Sequence, residues 1–286
     1  MLSILIPCYN FSVFHLIKDL HQQAELQKIH FEIICAEDGS TEKFSNSDVK
    51  KFKNVTYLNH EKNVGRSKIR NLLSKQAKFK WLLFIDCDSK INNKNFLSDY
   101  LQKTQYSNSL FYGETEYEKR IKNPKKKLHW LYGKKIESKR KKKQFSSHHF
   151  LIQKKIFNDI LFNEKIKGYG HEDTIFSIEM KLKNYKLIYI KNTLLHIGLE
   201  NNDEFIRKVE NSLTNLIKLS KQYKLNHLKI IRIHKILSSC YFDYIIIILF
   251  QSLKKIILKN LLSKEPNLLF FQFYKLGYYC KNVKKI

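Results

Sequence analysis

Two carboxylates one residue apart, Asp86 and Asp88, follow the apolar run Trp81-Leu82-Leu83-Phe84-Ile85. Acids placed just past a buried strand need a partner, because burying an unpaired charge is costly. A divalent cation is such a partner. Hard cations such as Mg²⁺ or Mn²⁺ take oxygen ligands and commonly share them with substrate phosphates. A second acidic pair, Glu172-Asp173, follows the glycine-flanked stretch Gly168-Tyr169-Gly170-His171. A carboxylate there can act as a general base. It can equally cap a helix, since acids suit helix N-termini. A third pair, Glu37-Asp38, ends another apolar run.

The elements around these acids alternate. Strand signals at Ser3–Pro7, Phe31–Ala36, Val55–Leu58 and Trp81–Ile85 are separated by helical spacing over Val13–Leu26 and Ser67–Lys75. That alternation predicts a mostly parallel sheet with helices on both faces. Ligands bind at the carboxyl ends of strands in such sheets. Tyr9-Asn10, Glu37-Asp38, and Asp86 with Asp88 all stand at those ends. Beyond them, Phe150–Ile152 and Leu187–Ile190 read as strands, and Ile175–Leu182 as a helix. Pro124–Gln144 is dense in Lys and reads as an exposed loop. From about residue 201 helical patterns take over, so 1–200 reads as an α/β catalytic domain and 201–286 as a basic helical region.

Lys and Arg together number 53 against 26 Asp and Glu, a formal charge of +27. Only six of the basic residues are Arg. Arg is the better residue for bidentate phosphate and base contacts, so no nucleic-acid partner is expected. A surface this positive should still be drawn to anionic lipid. The five cysteines form no C-x-x-C pair, which leaves a zinc or thioredoxin-type site unsupported. Met1–Tyr9 lacks a basic start or a small-residue cleavage site, so no secretory leader is expected. A cytoplasmic chain, peripheral on the inner face of a membrane, is the expected setting. Tyr241–Leu262 mixes Ile, Leu and Phe with Lys254, Lys255 and Lys259, and suits either packing on the catalytic domain or a membrane interface.

Five segments, in order, resemble the family-2 glycosyltransferases of GT-A fold. They are Ser3–Asn10, Glu37–Thr41 (an Asp-Asp-Gly-Ser motif with Glu in the first place), Asn63–Asn71, Phe84–Asp88 and Gly168–Asp173. The resemblance spans roughly residues 1 to 200. It implies a nucleotide-diphosphate sugar donor, Mn²⁺ or Mg²⁺, and inverting transfer to a glycan or lipid-linked acceptor of cell-surface polysaccharide or lipopolysaccharide. It also implies roles. Asp38 would bind the donor's base, with Pro7 and Tyr9 lining the pocket. Arg66 and Arg70, four apart on a helix start, would face the nucleotide. Asp86 would reach the ribose or the metal, Asp88 would be the main metal ligand, and His196 would join it. Asp173 would be the general base, Glu172 its neighbour on acceptor hydroxyls, with His171 and His149 as further acceptor contacts. Two other classes compete. A nucleotidyltransferase would favour a Gly-rich loop with Lys after the first strand, where this chain has Pro7-Cys8-Tyr9-Asn10-Phe11. A non-catalytic polyanion or nucleic-acid binder would tolerate loss of Asp88 and Asp173.

Overall fold

The computed structural model describes residues 1–140 and 144–284. The elements run β1 (Leu2–Cys8), α1 (Phe14–Leu26), β2 (Phe31–Asp38), β3 (Val55–His60), α2 (Arg66–Gln76), β4 (Trp81–Ile85), β5 (Ser89–Lys90) and α3 (Phe96–Leu101). There follow β6 (Ser109–Glu116), α4 (Lys127–Tyr132), β7 (His149–Gln153), α5 (Lys154–Ile160), α6 (Glu172–Leu182) and β8 (Lys186–His196). Four helices close the chain: α7 (Asn202–Ser220), α8 (Lys229–Ser239), α9 (Phe242–Leu261) and α10 (Leu268–Val283). The chain divides into two compact units. One holds Met1–Glu118, Lys134–Ile166 and Glu172–Gly198; the other holds Lys119–Gly133, Lys167–His171 and the chain from Leu199 onward.

The first unit is built on one eight-stranded sheet of order β3-β2-β1-β4-β7-β6-β8-β5. Strands β1 to β4 pair parallel, as do β6 and β8, while β7 and β5 run against their neighbours. Successive residues of a strand face opposite sides of a sheet. Both sides here are apolar, which is why these strands are near-continuous hydrophobic runs. Ile4, Ile6, Ile33, Cys35, Leu83 and Ile85 join one core with Ile17 and Leu20 of α1. Leu5, Ile34, Leu82 and Phe84 join the other, with Ile69 and Leu73 of α2 and Phe157 of α5. Cys8, Cys35, Cys87 and Cys280 are free and buried; Cys240 is exposed.

Two local features place the site. Gly65 has φ 90, a left-handed conformation that favours glycine, and it opens α2 one residue before Arg66. The two-residue strand β5 pairs Ser89 with His196 at the end of β8. The chain thus passes from the central β4 through the Asp86-Cys87-Asp88 turn to the edge strand β5 beside the end of β8.

The second unit is helical. The Lys-dense stretch beginning at Pro124 is not the exposed loop that its charge implied. It forms α4, with Leu128, His129 and Tyr132 buried. The His129 ring stacks on Phe205 of α7 at 4.2 Å, and Tyr132 meets Phe271 of α10 edge-on at 5.3 Å. Apolar and aromatic burial outweighs the charge of the stretch, and Lys127 pairs with Glu265 at 2.5 Å. Lys141–Lys143 of the same run lie outside the described residues. Asn201 and Glu204 form a capping box at the start of α7. Among the described residues, no single helix is long and apolar enough to cross a membrane.

Phe84 is fully buried, with its ring stacked on Phe150 and Phe157 at 4.8 Å each. Phe84→Ala should cost about 3–5 kcal/mol of unfolding free energy by urea titration. A loss below about 1 kcal/mol would show that this face of the sheet is not packed as described.

Candidate active site

The site collects at the carboxyl ends of β1, β2 and β4. Asp38 ends β2 and is buried. Its carboxylate accepts from the backbone N–H groups of Val64 (2.6 Å) and Gly65 (3.0 Å), and Asn63 donates its side-chain amide to the Asp38 carbonyl at 2.9 Å. Asp38 therefore holds the turn that launches α2. Pro7 stands opposite Ala36 in the β1–β2 pairing, and Tyr9 follows β1 with its side chain exposed. Asn10 ties the neighbouring turn: its side-chain oxygen accepts from the N–H groups of Thr41 (2.8 Å) and Glu42 (3.1 Å). Glu37 faces inward, accepting from Asn46 (3.0 Å), Tyr57 (2.9 Å) and Ser40.

α2 then delivers two arginines to one carboxylate. Arg70, 1 % exposed, donates to Asp86 Oδ1 at 2.5 Å and to the Arg66 carbonyl at 3.1 Å. Arg66 contacts Asp86 Oδ2 at 3.2 Å and reaches Glu172 Oε1 at 3.0 Å with its Nε. One guanidinium thus joins the end of β4 to the start of α6, 86 residues later in the chain. Asn71 fastens α2 on its other side, exchanging hydrogen bonds with the backbone N–H and C=O of Phe162, both at 2.9 Å.

Asp86 and Asp88 have separate tasks. Asp86 was expected at the ribose or the metal, and the structure gives both of its oxygens to arginines. Asp88 is turned toward the ends of β7 and β8. His196 Nδ1 lies 3.5 Å from Asp88 Oδ1, and the Ile197 N–H donates to the Asp88 carbonyl at 2.9 Å. Gly198 packs so closely that a Cβ there would fall 2.4 Å from Asp88 Oδ2. Asp88 Oδ1 is buried and takes no hydrogen bond. Asp88, His148 and His196 offer ligand atoms within 4.8 Å of one another. That is slightly wider than the roughly 4 Å spanning a cation with ligands 2.0–2.1 Å away, so small side-chain rotations close it. An orphaned buried carboxylate oxygen beside imidazole nitrogens fits a divalent cation, and imidazole weights the choice away from Mg²⁺. Burial opposes the charge on Asp88, but the adjacent His196 outweighs it and holds the carboxyl below its usual range. His196 is raised in turn: burial lowers it, and Asp88 more than compensates.

Of the adjacent pair at the start of β7, the sequence singled out His149, as an acceptor contact; the structure gives His148 and His149 different surroundings. His149 is buried inside the sheet. Its Nε2 contacts the Glu114 carbonyl at 3.0 Å, and its Nδ1 the Tyr100 hydroxyl at 2.7 Å. A carbonyl only accepts, so Nε2 carries the proton and both nitrogens are occupied. Burial lowers this imidazole to about 4. Both ring nitrogens are thus engaged inside the sheet. His148 instead reaches the Asp88–His196 corner, with Nε2 3.0 Å from the Ser89 hydroxyl and Nδ1 2.9 Å from that of Thr115. Ligating a cation would displace one of these hydroxyls.

Glu172 and Asp173 open α6. Asp173 Oδ1 accepts from the Thr174 N–H at 2.6 Å, a helix-terminal contact. Burial first, and the adjacent Glu172 charge second, push Asp173 up to about 7. His171, half-buried with φ 70, precedes the helix and falls in the second unit.

The family model described as glycosyl transferase family 2 matches residues 3–161. The chain belongs to glycosyl transferase family 2. No curated protein matches it. Among solved structures it is similar to residues 1–349 of TarS from S. aureus in complex with UDP, at 20% identity over 76% of this chain, TM-score 0.51. The chain spans 65% of that TarS fragment. It is also similar to the mannosyltransferase PcManGT from Pyrobaculum calidifontis, solved with GDP-Man and Mn²⁺. There the identity is 10%, the coverage 99% of this chain and 86% of that one, and the TM-score 0.60. At such identities the likeness is one of fold. It is the mixed α/β fold of this family, with the helices α7–α10 included in the PcManGT match.

Arg70→Leu removes one partner of a buried ion pair and leaves Asp86 only the half-exposed Arg66. The expected loss is about 3–5 kcal/mol by denaturant titration. A change under about 1 kcal/mol would mean that Arg70 does not hold Asp86.

Proposed function

We propose that this family-2 chain transfers a sugar, with inversion, from a nucleotide-diphosphate sugar to a hydroxyl of a glycan or glycolipid in cell-surface polysaccharide or lipopolysaccharide synthesis. A uridine nucleotide is the first donor to test. The observation that carries the reading is the Arg66 bridge. It gathers acids from β4 and α6 at one rim of the sheet, where this family's fold presents a strand-end crevice. The structures with UDP and with GDP-Man and Mn²⁺ support the donor class and the cation.

Asp88 and His196, with His148 on loss of a hydroxyl contact, would hold Mn²⁺ or Mg²⁺. The cation, when bound, supplies positive charge beside the leaving diphosphate. Asp38, Pro7 and Tyr9 frame the β1–β2 end of the crevice and suit the base. Arg66 and Arg70 hold Asp86 in place. Asp173 receives the proton of the acceptor hydroxyl as its oxygen bonds to the anomeric carbon and the bond to the diphosphate breaks. A carboxyl raised to about 7 is matched to this work near neutral pH. Glu172, fixed by Arg66, supplies the neighbouring charge.

Mn²⁺ with a nucleoside diphosphate should raise the melting temperature, and Asp88→Ala should remove the part that depends on metal. Equal stabilisation of the variant would count heavily against this cation site.

Asp173→Asn should retain the ligand-induced thermal shift and lose transfer by roughly 10²–10⁴-fold. In the parent, kcat/KM should rise with pH up to about 7 and then level. The stability term has the opposite slope. The folded value lies above the ordinary 3.8, so the native state holds the proton more tightly, and stability falls as pH rises from about 4 to about 7. Asp173→Asn should therefore melt higher than the parent at pH 8 and not at pH 4. Normal turnover in this variant would overturn the base assignment.

A further inference from the structure

The second unit presents an apolar surface that nothing in the transfer reaction uses. On α9 the buried residues Asp243, Phe250, Ile257 and Leu261 lie on one side. Phe242, Ile245, Ile248, Leu249, Leu253 and Ile256 are all exposed, Ile248 by 63 % and Ile256 by 62 %. At 100° per residue these six fall within one arc, separate from the buried side. The stripe continues onto the exposed Tyr241 at the corner where α8 turns into α9 through 112°. Contiguous apolar surface of this kind marks an interaction site.

Charge selects the partner. Over residues 229–261 there are six basic side chains: Lys229, Arg232, Lys235, Lys254, Lys255 and Lys259. The single acid in that range, Asp243, is buried and paired with Lys284 at 2.8 Å. Lys255 and Lys259 are exposed and stand on the helical wheel beside Ile248, at the border of the stripe. Long lysine stems can lie along an apolar face while their ammonium groups reach outward to phosphate. An apolar stripe edged with lysines is the pattern of a helix lying in an anionic lipid interface. From Phe242 to Ile256 the stripe runs about 21 Å along the helix. Three lysines in the helix's second half prevent it from spanning the hydrocarbon core, which needs about 20 apolar residues. Pairing two copies through this face would instead bring together two chains of formal charge +27.

We propose that the outward face of α9, with the α8–α9 corner, docks in the plane of an anionic phospholipid surface. This inference is independent of the transfer reaction, and its readout is lipid binding rather than turnover. The full chain should co-sediment with phosphatidylcholine vesicles containing one quarter phosphatidylglycerol, and not with phosphatidylcholine alone. Two double variants test the two components: Ile248→Glu with Ile256→Glu, and Lys255→Glu with Lys259→Glu. All four positions are solvent-facing, so the melting temperature should hold. Each pair should weaken partition by at least about tenfold, while Leu26→Glu, at an exposed site on α1, should leave it unchanged. Undiminished binding of either double variant, equal loss in Leu26→Glu, or no binding by the parent would overturn the proposal. So would a vesicle-free dimer that Ile248→Glu with Ile256→Glu dissolves, which would assign the face to a second copy.

Discussion

The site depends on one shared guanidinium. Arg66 holds Asp86 with one nitrogen and Glu172 with another. Its charge opposes the repulsion between the two acids, which are both desolvated in a partly buried place. The planar fork of Arg serves two acceptors in a way that the point charge of Lys does not. Everything that fixes Arg66 is thereby part of the site. Asp38 anchors the turn before it through two backbone N–H groups. Gly65 permits the backbone to enter the helix there. Arg70, one turn on, caps the Arg66 carbonyl and takes the other oxygen of Asp86.

This arrangement explains why the two acids of Asp86-Cys87-Asp88 diverge. Asp86 is drawn toward α2 and is neutralised by protein. Asp88, two residues later, is turned to His196, and its Oδ1 stays without a hydrogen bond. The short β5–β8 pairing and the close packing of Gly198 keep it there. The carboxylate that a cation would need is thus the one that the protein leaves incompletely satisfied.

Much of this was legible in the chain. The strand ends, the acids on them and the helix that begins near Arg66 follow from apolar runs and their punctuation. Strand β7 shows where that legibility stops. His148 and His149 are adjacent, so period-two alternation sends them to different surroundings, and only the register of the strand decides which is which. The β4–β7 pairing sets Ile85 opposite His149, and the Asp86 N–H donates to the His148 carbonyl at 2.9 Å. This register puts His148 at the rim and His149 within the sheet. That information lies in long-range pairing, not in the local pattern. Helix α4 was hidden for a different reason. Its six residues offer too short a period to read, and the aromatic rings that it packs against come from Phe205 and Phe271, far along the chain.

The net charge of the chain misrepresents its site. Five carboxylates, those of Asp38, Asp86, Asp88, Glu172 and Asp173, stand among two arginines, Arg66 and Arg70. Asp86 and Glu172 are in direct ion pairs with them. Asp38 is met by backbone dipoles, Asp173 by the start of a helix and a raised proton affinity, and Asp88 by histidines. The chain carries a formal charge of +27, while these five acids stand at the rim of the sheet. A nucleotide diphosphate added to that rim would meet like charge unless cations came with it. The distribution of charge thus argues for the divalent ion on the same grounds as the geometry of Asp88.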